Sequence, residues 1–364
     1  MKFNTNKTSL LNGLQTVQNV VNLRSTLPIL ANVLIVGDKN GVSLTTTDLD
    51  VSVRCRIEAE VSKTGGSTQP ARRLFNIVRE LPDSPVRIEI DDKDMATVES
   101  DASFFRIVGL SKDEFPPMAA GEAKYAYHLD EGVFREMRRK TAYAASTDES
   151  RPTLNGVLLS FKGGKLTVVA TDGRRLALVE HEVDVPKEAE GEIIVPTKTV
   201  SELLRLLREA GPLTIQPLEK QVTFEFNDIV VVSKLIEGTY PNYSQVIPAQ
   251  CEERVTIARE ALLTALRRVS LVTADRSNAA KLTFEKNNLT ISVLTPDVGE
   301  ARETLPLKYG GKEISVAFNP DFMMDPLRNL TTDEVALELT DELSPGVIKC
   351  EIAFLYVLMP MRIT

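Results

Sequence analysis

The chain has 364 residues and contains an internal repeat with a period of 124 residues. The segment Pro28–Leu34 recurs as Pro152–Leu158, and the same shift carries Thr47–Asp48 onto Thr171–Asp172. A second shift of 124 residues carries Thr171 onto Thr295. Landmarks that agree in order predict three similar structural units, with three unrelated domains that share turn chemistry as the alternative. The predicted domains are 1–121, 122–246 and 247–364.

Each repeat has two segments with helical periodicity among several short alternating segments that are typical of strands. In the first repeat, for example, Leu74, Ile77 and Val78 fall on one helical face. The predicted fold class is α+β, with two helices packed on antiparallel sheet in each domain. Pro326 should kink or shorten the last helix. The six predicted helices are 7–20, 70–81, 130–145, 197–209, 258–272 and 319–330.

The scarce residue types exclude several classes of function. The chain has three cysteines, none in a CxxC pair, and two histidines outside any HExxH or HxH motif. Disulfide frameworks, metal sites and histidine-based triads therefore have little basis, and we predict no metal and no cofactor. The N-terminus lacks a signal-like apolar segment, and the apolar runs are far shorter than the roughly 20 residues of a membrane-spanning helix. We expect a cytoplasmic protein without membrane contact.

Enzymatic activity would need a group of reactive residues that the sequence does not supply. The best candidates are Asp172 and the pair Asp148 and Glu149, which could serve as acid and base or hold Mg²⁺. However, Asp48 and Asp172 recur at equivalent turns, and no phosphate-binding loop accompanies them. We therefore predict that the protein is not an enzyme.

The net charge of −8 argues at first against nucleic acid, because phosphate binding depends on Lys and Arg. The charge is unevenly divided, however: the six predicted helices carry +6 and the rest of the chain −14. Arg72 and Arg79 lie opposite the apolar stripe of their helix, Lys198 and Arg205 do so one repeat later, and Arg139 takes this position on the third helix. Such a basic face would hold phosphates without reading bases.

Repeats that contact one another head to tail leave one unsatisfied end at each terminus of the chain. Contacts of this kind close into a ring when the rotation permits, and otherwise form filaments. A homodimer of three-repeat chains would make a symmetric ring of six units.

Several motifs in the same order resemble those of the bacterial DNA polymerase III beta subunit, the sliding clamp, over the whole length of the chain. They are Leu23–Leu30, Thr45–Asp48, Pro70–Arg73, Leu154–Gly156, Ala170–Ala177, Tyr240–Pro241 and Met359–Arg362. The resemblance implies a head-to-tail dimeric ring of clamp-type domains that encircles duplex DNA and confers processivity on the replicative polymerase. It implies as partners double-stranded DNA, a second copy of the chain, the polymerase catalytic subunit, the clamp loader, and other replication and repair proteins that carry a clamp-binding motif.

The resemblance also assigns candidate site residues. Arg24 and Arg72 match family positions that touch DNA, whereas Pro152 and Thr153 replace aromatic residues common in the family. The family binds partner peptides in an apolar pocket between the second and third repeats, where Arg174 replaces a common histidine. The candidate DNA contacts, including those from helix geometry, are Arg24, Arg72, Arg73, Arg79, Arg139, Lys198 and Arg205. The candidate pocket residues are Leu154, Thr171, Gly173, Arg174, Arg175, Leu176, Pro241, Val246, Val357, Met359, Met361 and Arg362.

Candidate dimer contacts are Phe105 and Ile107 of the first repeat against Leu271 and Val272 of the third, although all four could be buried within their own domains. A peptide-binding adaptor that never encircles DNA is the alternative function.

Overall fold

The computed structural model describes residues 1–21, 26–118, 121, 123–273, 279–296 and 298–362. Within these ranges the α-helices are α1 Lys7–Val17, α2 Ala71–Glu80, α3 Glu131–Arg139, α4 Thr197–Leu206, α5 Arg259–Val269 and α6 Pro320–Asn329. Two fall in each sequence repeat, as predicted.

The strands of the first repeat are β1 Lys2–Asn6, β2 Asn32–Asp38, β3 Gly41–Thr47, β4 Val51–Ile57, β5 Glu60–Lys63, β6 Gly65–Pro70, β7 Pro85–Ile90, β8 Met95–Ser100 and β9 Ser103–Val108. Those of the second are β10 Tyr127–Asp130, β11 Gly156–Lys162, β12 Lys165–Thr171, β13 Arg175–Glu182, β14 Gly191–Pro196, β15 Pro212–Pro217, β16 Gln221–Phe226 and β17 Ile229–Lys234. Those of the third are β18 Glu253–Ala258, β19 Ala280–Glu285, β20 Asn288–Thr295, β21 Gly299–Pro306, β22 Ile314–Phe318, β23 Glu334–Leu339, β24 Gly346–Lys349 and β25 Phe354–Leu358.

The strands are grouped in two compact bodies. The first body contains residues 1–135 and 198–235, and the second contains 136–197 and 236–364. The first has an eight-stranded sheet, β10-β15-β16-β17-β4-β3-β2-β6, and a five-stranded sheet, β5-β1-β7-β8-β9. The second has an eight-stranded sheet, β14-β11-β12-β13-β25-β24-β23-β18, and a four-stranded sheet, β21-β20-β19-β22. The pairings are antiparallel, as predicted.

The bodies do not follow the predicted domain limits, because each eight-stranded sheet joins two consecutive repeats. β4 of the first repeat pairs with β17 of the second, and β13 of the second pairs with β25 of the third. The limits at 121 and 246 therefore stay a prediction.

Helix α1 shows how the apolar periodicity becomes packing. The Asn6 side chain accepts a hydrogen bond from the Ser9 amide at 2.7 Å and caps the first turn. Leu10, Leu14 and Val17 are buried, and the helix lies against β3 and β4 of the first body.

Helix α3 is shorter than the predicted segment 130–145. It ends at Arg139, and a short 3₁₀ turn follows at Ala142–Ala144. The Thr141 amide donates a hydrogen bond to the Arg138 carbonyl at 3.2 Å, and the Thr141 hydroxyl donates to the Met137 carbonyl at 2.9 Å. This side-chain bond competes with the helical pattern, which explains the early end.

Of the predicted kink or shortening of α6 at Pro326, the shortening is wrong. The helix runs through it to Asn329 and has ten residues, as α2 and α4 do. Proline lacks the amide hydrogen that would bond to the Phe322 carbonyl four residues earlier. The Tyr356 hydroxyl donates to that carbonyl instead, at 2.8 Å, so the lost helical bond is replaced from β25.

Candidate functional site

A buried apolar cluster lies on one face of the eight-stranded sheet of the second body. Leu176 of β13 and Val357 of β25 face each other in the strand register, and Leu154 precedes β11. Further apolar side chains that are partly exposed pack against these buried residues, so the cluster extends to the protein surface. The buried members are Leu154, Leu158, Val169, Leu176, Ile194, Tyr240 and Val357, and the partly buried ones are Leu178, Ile236, Tyr243, Ile247 and Leu355.

The structure thus brings three predicted pocket residues, Leu154, Leu176 and Val357, into one cluster. The sequence reasoning missed Leu158, Val169, Ile194 and Tyr240. A signal was available for Tyr240, because Tyr240–Pro241 is one of the motifs that resemble the sliding clamp family.

A tight turn between β12 and β13 borders the cluster. The Asp172 carboxylate accepts hydrogen bonds from the amides of Arg174 and Arg175 at 2.8 and 3.0 Å. The Thr171 hydroxyl donates to the Arg175 carbonyl at 2.6 Å and accepts from the Gly173 amide at 3.1 Å. Gly173 has φ = 86°, a conformation that glycine adopts without steric cost. The turn therefore holds Gly173 and Arg174 exposed at the rim.

Arg175 is not a wall of this pocket, because its guanidinium is engaged elsewhere. It pairs with Asp172 at 3.1 Å and with Asp325 of α6, and it donates to the Tyr143 carbonyl at 2.8 Å. The guanidinium also stacks 4.2 Å from the ring centroid of Phe322. Only 10% of the side chain is exposed. Burial disfavours its charge, but Tyr356 and the carboxylates of Asp325 and Asp172 outweigh this and raise the pKa of Arg175. Arg175 thus positions the turn.

The C-terminal segment lies beside the same turn. The Met359 amide donates to the Arg174 carbonyl at 2.9 Å, and the Met361 amide donates to the Ala317 carbonyl at 2.7 Å. Both methionine side chains are half-buried, whereas Arg362 is exposed. Met361 and Arg362 border a cavity of about 430 Å³, whose other lining residues are Lys281, Ser315, Val316, Ala317, Glu342 and Leu343.

Pro241 and Val246 follow Tyr240 and are exposed. The 3₁₀ turn Tyr243–Val246 is capped by Asn242, whose side chain accepts from the Ser244 amide at 3.3 Å. Arg151, which the sequence reasoning did not select, donates to the Asp172 carbonyl at 3.2 Å and pairs with Asp148 at 3.0 Å.

The predicted DNA contacts differ in how much free charge they present. Arg72 and Arg73 in the first turn of α2 are exposed, and neither forms an ion pair within the described residues. They border a cavity of about 580 Å³ that Phe105 and Ile77 also line. Arg24 lies outside the described residues.

The other predicted basic contacts are partly neutralised by neighbouring carboxylates. Their positive charge is therefore less available to phosphates than the sequence suggests. The ion pairs are Arg79 with Glu80 at 3.0 Å, Arg139 with Glu136 at 2.7 Å, Arg205 with Glu202 at 2.9 Å, and Lys198 with Asp48.

Arg205 is further occupied by the backbone. Its guanidinium donates to the carbonyls of Gln15 and Thr16, at 3.3 and 2.6 Å, near the C-terminal end of α1. Cations at this end of a helix are favourable because the last carbonyls lack helical partners. Arg205 therefore has a structural role in the first body.

The candidate dimer contacts divide into exposed and buried residues. Phe105 is 38% exposed, Leu271 is 80% exposed and Val272 is half-buried, whereas Ile107 is only 3% exposed. Ile107 belongs to the core of its own sheet, so its assignment as a dimer contact is not supported. Phe105 lies on β9, an edge strand of the five-stranded sheet, and β21 is an edge strand of the four-stranded sheet.

The described part of the chain contains no group of three His, Cys, Asp or Glu side chains that could hold a metal ion. No helix in the described ranges is long and apolar enough to cross a membrane.

The buried thiol of Cys55 is held in its protonated form, because burial raises its pKa to about 12.

Comparison with known proteins identifies this architecture. Models of the N-terminal, central and C-terminal domains of the DNA polymerase III beta subunit match residues 1–119, 128–242 and 244–362. A beta sliding clamp of Chlamydia muridarum is 34% identical over 363 residues, which cover 100% of this chain and 99% of that relative. The DNA polymerase III subunit beta of Pseudomonas aeruginosa superimposes with a TM-score of 0.96 at 31% identity, with 100% of both chains covered. The DNA polymerase sliding clamp of Bacillus subtilis gives 0.95 at 28% identity, again with 100% of both chains covered.

Three clamp domains in one chain, each with helices packed on antiparallel sheet, define a sliding clamp, a class of non-catalytic replication factors. The chain belongs to the DNA polymerase III beta subunit family. It is a processivity factor rather than an enzyme, with DNA and polymerase as its partners, and a homodimeric ring is the arrangement typical of the family.

Proposed function

We propose that this chain tethers the replicative polymerase through the pocket beside the turn 171–175, while a head-to-tail homodimer encircles duplex DNA. The buried apolar cluster on the face of the eight-stranded sheet of the second body, open at the rim formed by Gly173 and Arg174, carries the proposal. The clamp loader and other replication and repair proteins with a similar peptide would use the same pocket.

The chemistry of the pocket fits a short peptide with apolar anchors. Leu154, Leu176 and Val357 supply apolar contact area, and the flexible Met359 and Met361 can adapt to different anchors. Arg174 is exposed at the rim, and Arg362 is exposed at the cavity of about 430 Å³; both can pair with acidic groups on the peptide. The relative from Pseudomonas aeruginosa was solved bound to griselimycin.

DNA contact in this proposal is weak and independent of sequence. Arg72 and Arg73 supply exposed charge, while pairing with carboxylates limits the charge of Arg79, Arg139, Lys198 and Arg205. Few free cations suit a sliding protein, because each neutralised phosphate adds affinity at one location. Retention would come from ring closure.

The predicted domain limits 1–121, 122–246 and 247–364 fit the ranges of the matching family models. We also infer a cytoplasmic location, since DNA replication in bacteria takes place there.

Retention on DNA tests the encircling ring. Once assembled on circular duplex by a clamp loader, the protein should stay bound and should dissociate after the DNA is linearised. Equal retention on both forms would contradict the proposal.

Reversing both free charges, with Arg72→Glu and Arg73→Glu, should reduce assembly on DNA severalfold but leave griselimycin binding unchanged. Lys39→Glu with Lys286→Glu changes the net charge equally at two other exposed cations that form no ion pair within the described residues, and is the matched control. A peptide-binding adaptor would be indifferent to both pairs of substitutions.

A further inference from the structure

The two eight-stranded sheets contain the same turn at equivalent positions, although only the second sheet contains the candidate pocket. In the first sheet the Asp48 carboxylate accepts from the amides of Asp50 and Val51, at 3.1 and 2.8 Å. These bonds repeat those of Asp172 in the turn 171–175. Leu49 occupies the position of Gly173, and the φ angles are 79° and 86°.

The neighbouring strands match as well. In the first sheet Ser52 pairs with Val232, and in the second Leu176 pairs with Val357. The Lys234 amide donates to the Asp50 carbonyl at 2.9 Å, as the Met359 amide donates to the Arg174 carbonyl at 2.9 Å. The backbone of the pocket edge is therefore built twice in one chain.

The floor beneath the first turn is also apolar. Leu30 and Leu34 correspond through the repeat to Leu154 and Leu158, and Phe115 precedes Pro116 as Tyr240 precedes Pro241, at a spacing of 125 residues. Leu30, Leu34 and Phe115 belong to a cluster that Ile29 and Leu110 complete. The floors differ at two positions, because Thr45 and Thr68 pair with Leu34 in the first sheet where Val169 and Ile194 pair with Leu158 in the second. The other differences lie at the turn and on the neighbouring strands.

Five positions differ between the two edges. One of them, Val51 against Arg175, does not face the candidate pocket, because the Arg175 guanidinium pairs with Asp325 of α6. The other four face the edge. Gly173, Arg174, Leu176 and Met359 in the second sheet correspond to Leu49, Asp50, Ser52 and Lys234 in the first.

The edge of the first sheet carries an ion pair, because Asp50 and Lys234 stand there in place of Arg174 and Met359. Lys234 Nζ lies 3.0 Å from Asp50 Oδ1, where the second sheet has a half-buried methionine beside an exposed arginine. An apolar peptide anchor that covered this pair would remove two charges from water without supplying new partners, which is unfavourable. The exchange of Leu176 for Ser52 also removes an apolar wall.

We propose that these four positions decide which of the two repeat-equivalent edges accepts an apolar peptide. Gly173, Arg174, Leu176 and Met359 open the edge in the second sheet. Leu49, Asp50, Ser52 and Lys234 close it in the first. This inference rests on the proposed peptide-binding function of the second sheet.

Transfer of the ion pair into the pocket tests the inference on the full-length dimer. Arg174→Asp with Met359→Lys recreates the pair of the first sheet on the same backbone hydrogen bond. We expect the affinity for griselimycin, measured by isothermal titration calorimetry, to fall at least tenfold while the dimer mass stays unchanged. The reciprocal control, Asp50→Arg with Lys234→Met, should leave the affinity of the native pocket as it is. Wild-type affinity in the Arg174→Asp, Met359→Lys variant would overturn the inference.

The opposite transfer, from the edge of the second sheet to that of the first, tests for a gain of binding at the first sheet. Leu49→Gly, Asp50→Arg, Ser52→Leu and Lys234→Met together should raise the number of griselimycin molecules bound per chain from one to two. A folded dimer of this variant that still binds one would overturn the inference. Absence of binding to the wild-type chain would instead contradict the proposed function, so the two failures are distinguishable.

Discussion

At the scale of single residues, Arg175 connects three parts of the second body. It joins the turn through Asp172, the helix α6 through Asp325 and the segment before β11 through the Tyr143 carbonyl. Because the guanidinium is largely buried, loss of one carboxylate leaves a charge without its full set of partners.

We therefore expect Asp325→Ala to lower the free energy of unfolding by about 2 kcal/mol, less than for a fully buried pair because Asp172 still neutralises the charge. The peptide pocket should weaken as well, since the turn that carries Gly173 and Arg174 loses its support. Urea unfolding and griselimycin titration would measure the two effects.

A surface ion pair in the same body provides the control for this prediction. Lys162 and Glu192 lie 2.6 Å apart with both side chains about half exposed. Such pairs contribute roughly 0–1 kcal/mol, so Glu192→Ala should change stability little, and it leaves the turn 171–175 with all its hydrogen bonds. Equal losses in the two variants would contradict the positioning role of Arg175.

The identity of many site residues could be predicted from the sequence, but their pairing could not. Leu154, Leu176 and Val357 were selected by their motifs and lie in one cluster. In contrast, the ion pair between Lys198 and Asp48 joins residues that are 150 positions apart in sequence. Helical geometry alone therefore predicted an exposed cation at Lys198 but not its partner. The orientation of Arg175 was also not predictable, because it depends on Asp325 of the next repeat.

At the scale of secondary structure, α6 shows how a local rule is overridden by tertiary contact. Periodicity predicted the helices to within a few residues, apart from the end of α3, and proline chemistry predicted a defect in α6. The Tyr356 hydroxyl from β25 supplies the donor that Pro326 lacks. No pattern within residues 319–330 could indicate a donor that lies on another strand.

This replacement can be tested with a double-mutant cycle. Tyr356→Phe leaves the Phe322 carbonyl without a donor and should cost about 1–2 kcal/mol of stability. In a Pro326→Ala background the new amide can donate to the same carbonyl, so the same substitution should cost about half as much. Urea unfolding of the four proteins gives the coupling. Equal costs in both backgrounds would show that the hydroxyl does not replace the helical bond.

At the scale of the whole molecule, the repeat predicted the number of domains and their similar folds, but not the continuous sheets. Strand registers such as Leu176 with Val357 involve residues far apart in sequence, and the repeat alone does not specify which edges pair. The same applies to the contact between two chains. Only exposure distinguishes Phe105 and Leu271 from Ile107, which shares the strand β9 with Phe105.

The mass in solution tests this distinction. A head-to-tail dimer has a mass of about 80 kDa, twice the 40.2 kDa of one chain. We expect Phe105→Asp with Leu271→Asp to give a folded monomer, because both side chains are exposed and a carboxylate at each position would oppose apolar contact between chains. Ile107→Ala should instead leave the dimer intact and lower stability by about 2–4 kcal/mol, as core truncations do. Sedimentation with circular dichroism separates the two outcomes, and a dimer that survives both aspartates would place the interface elsewhere.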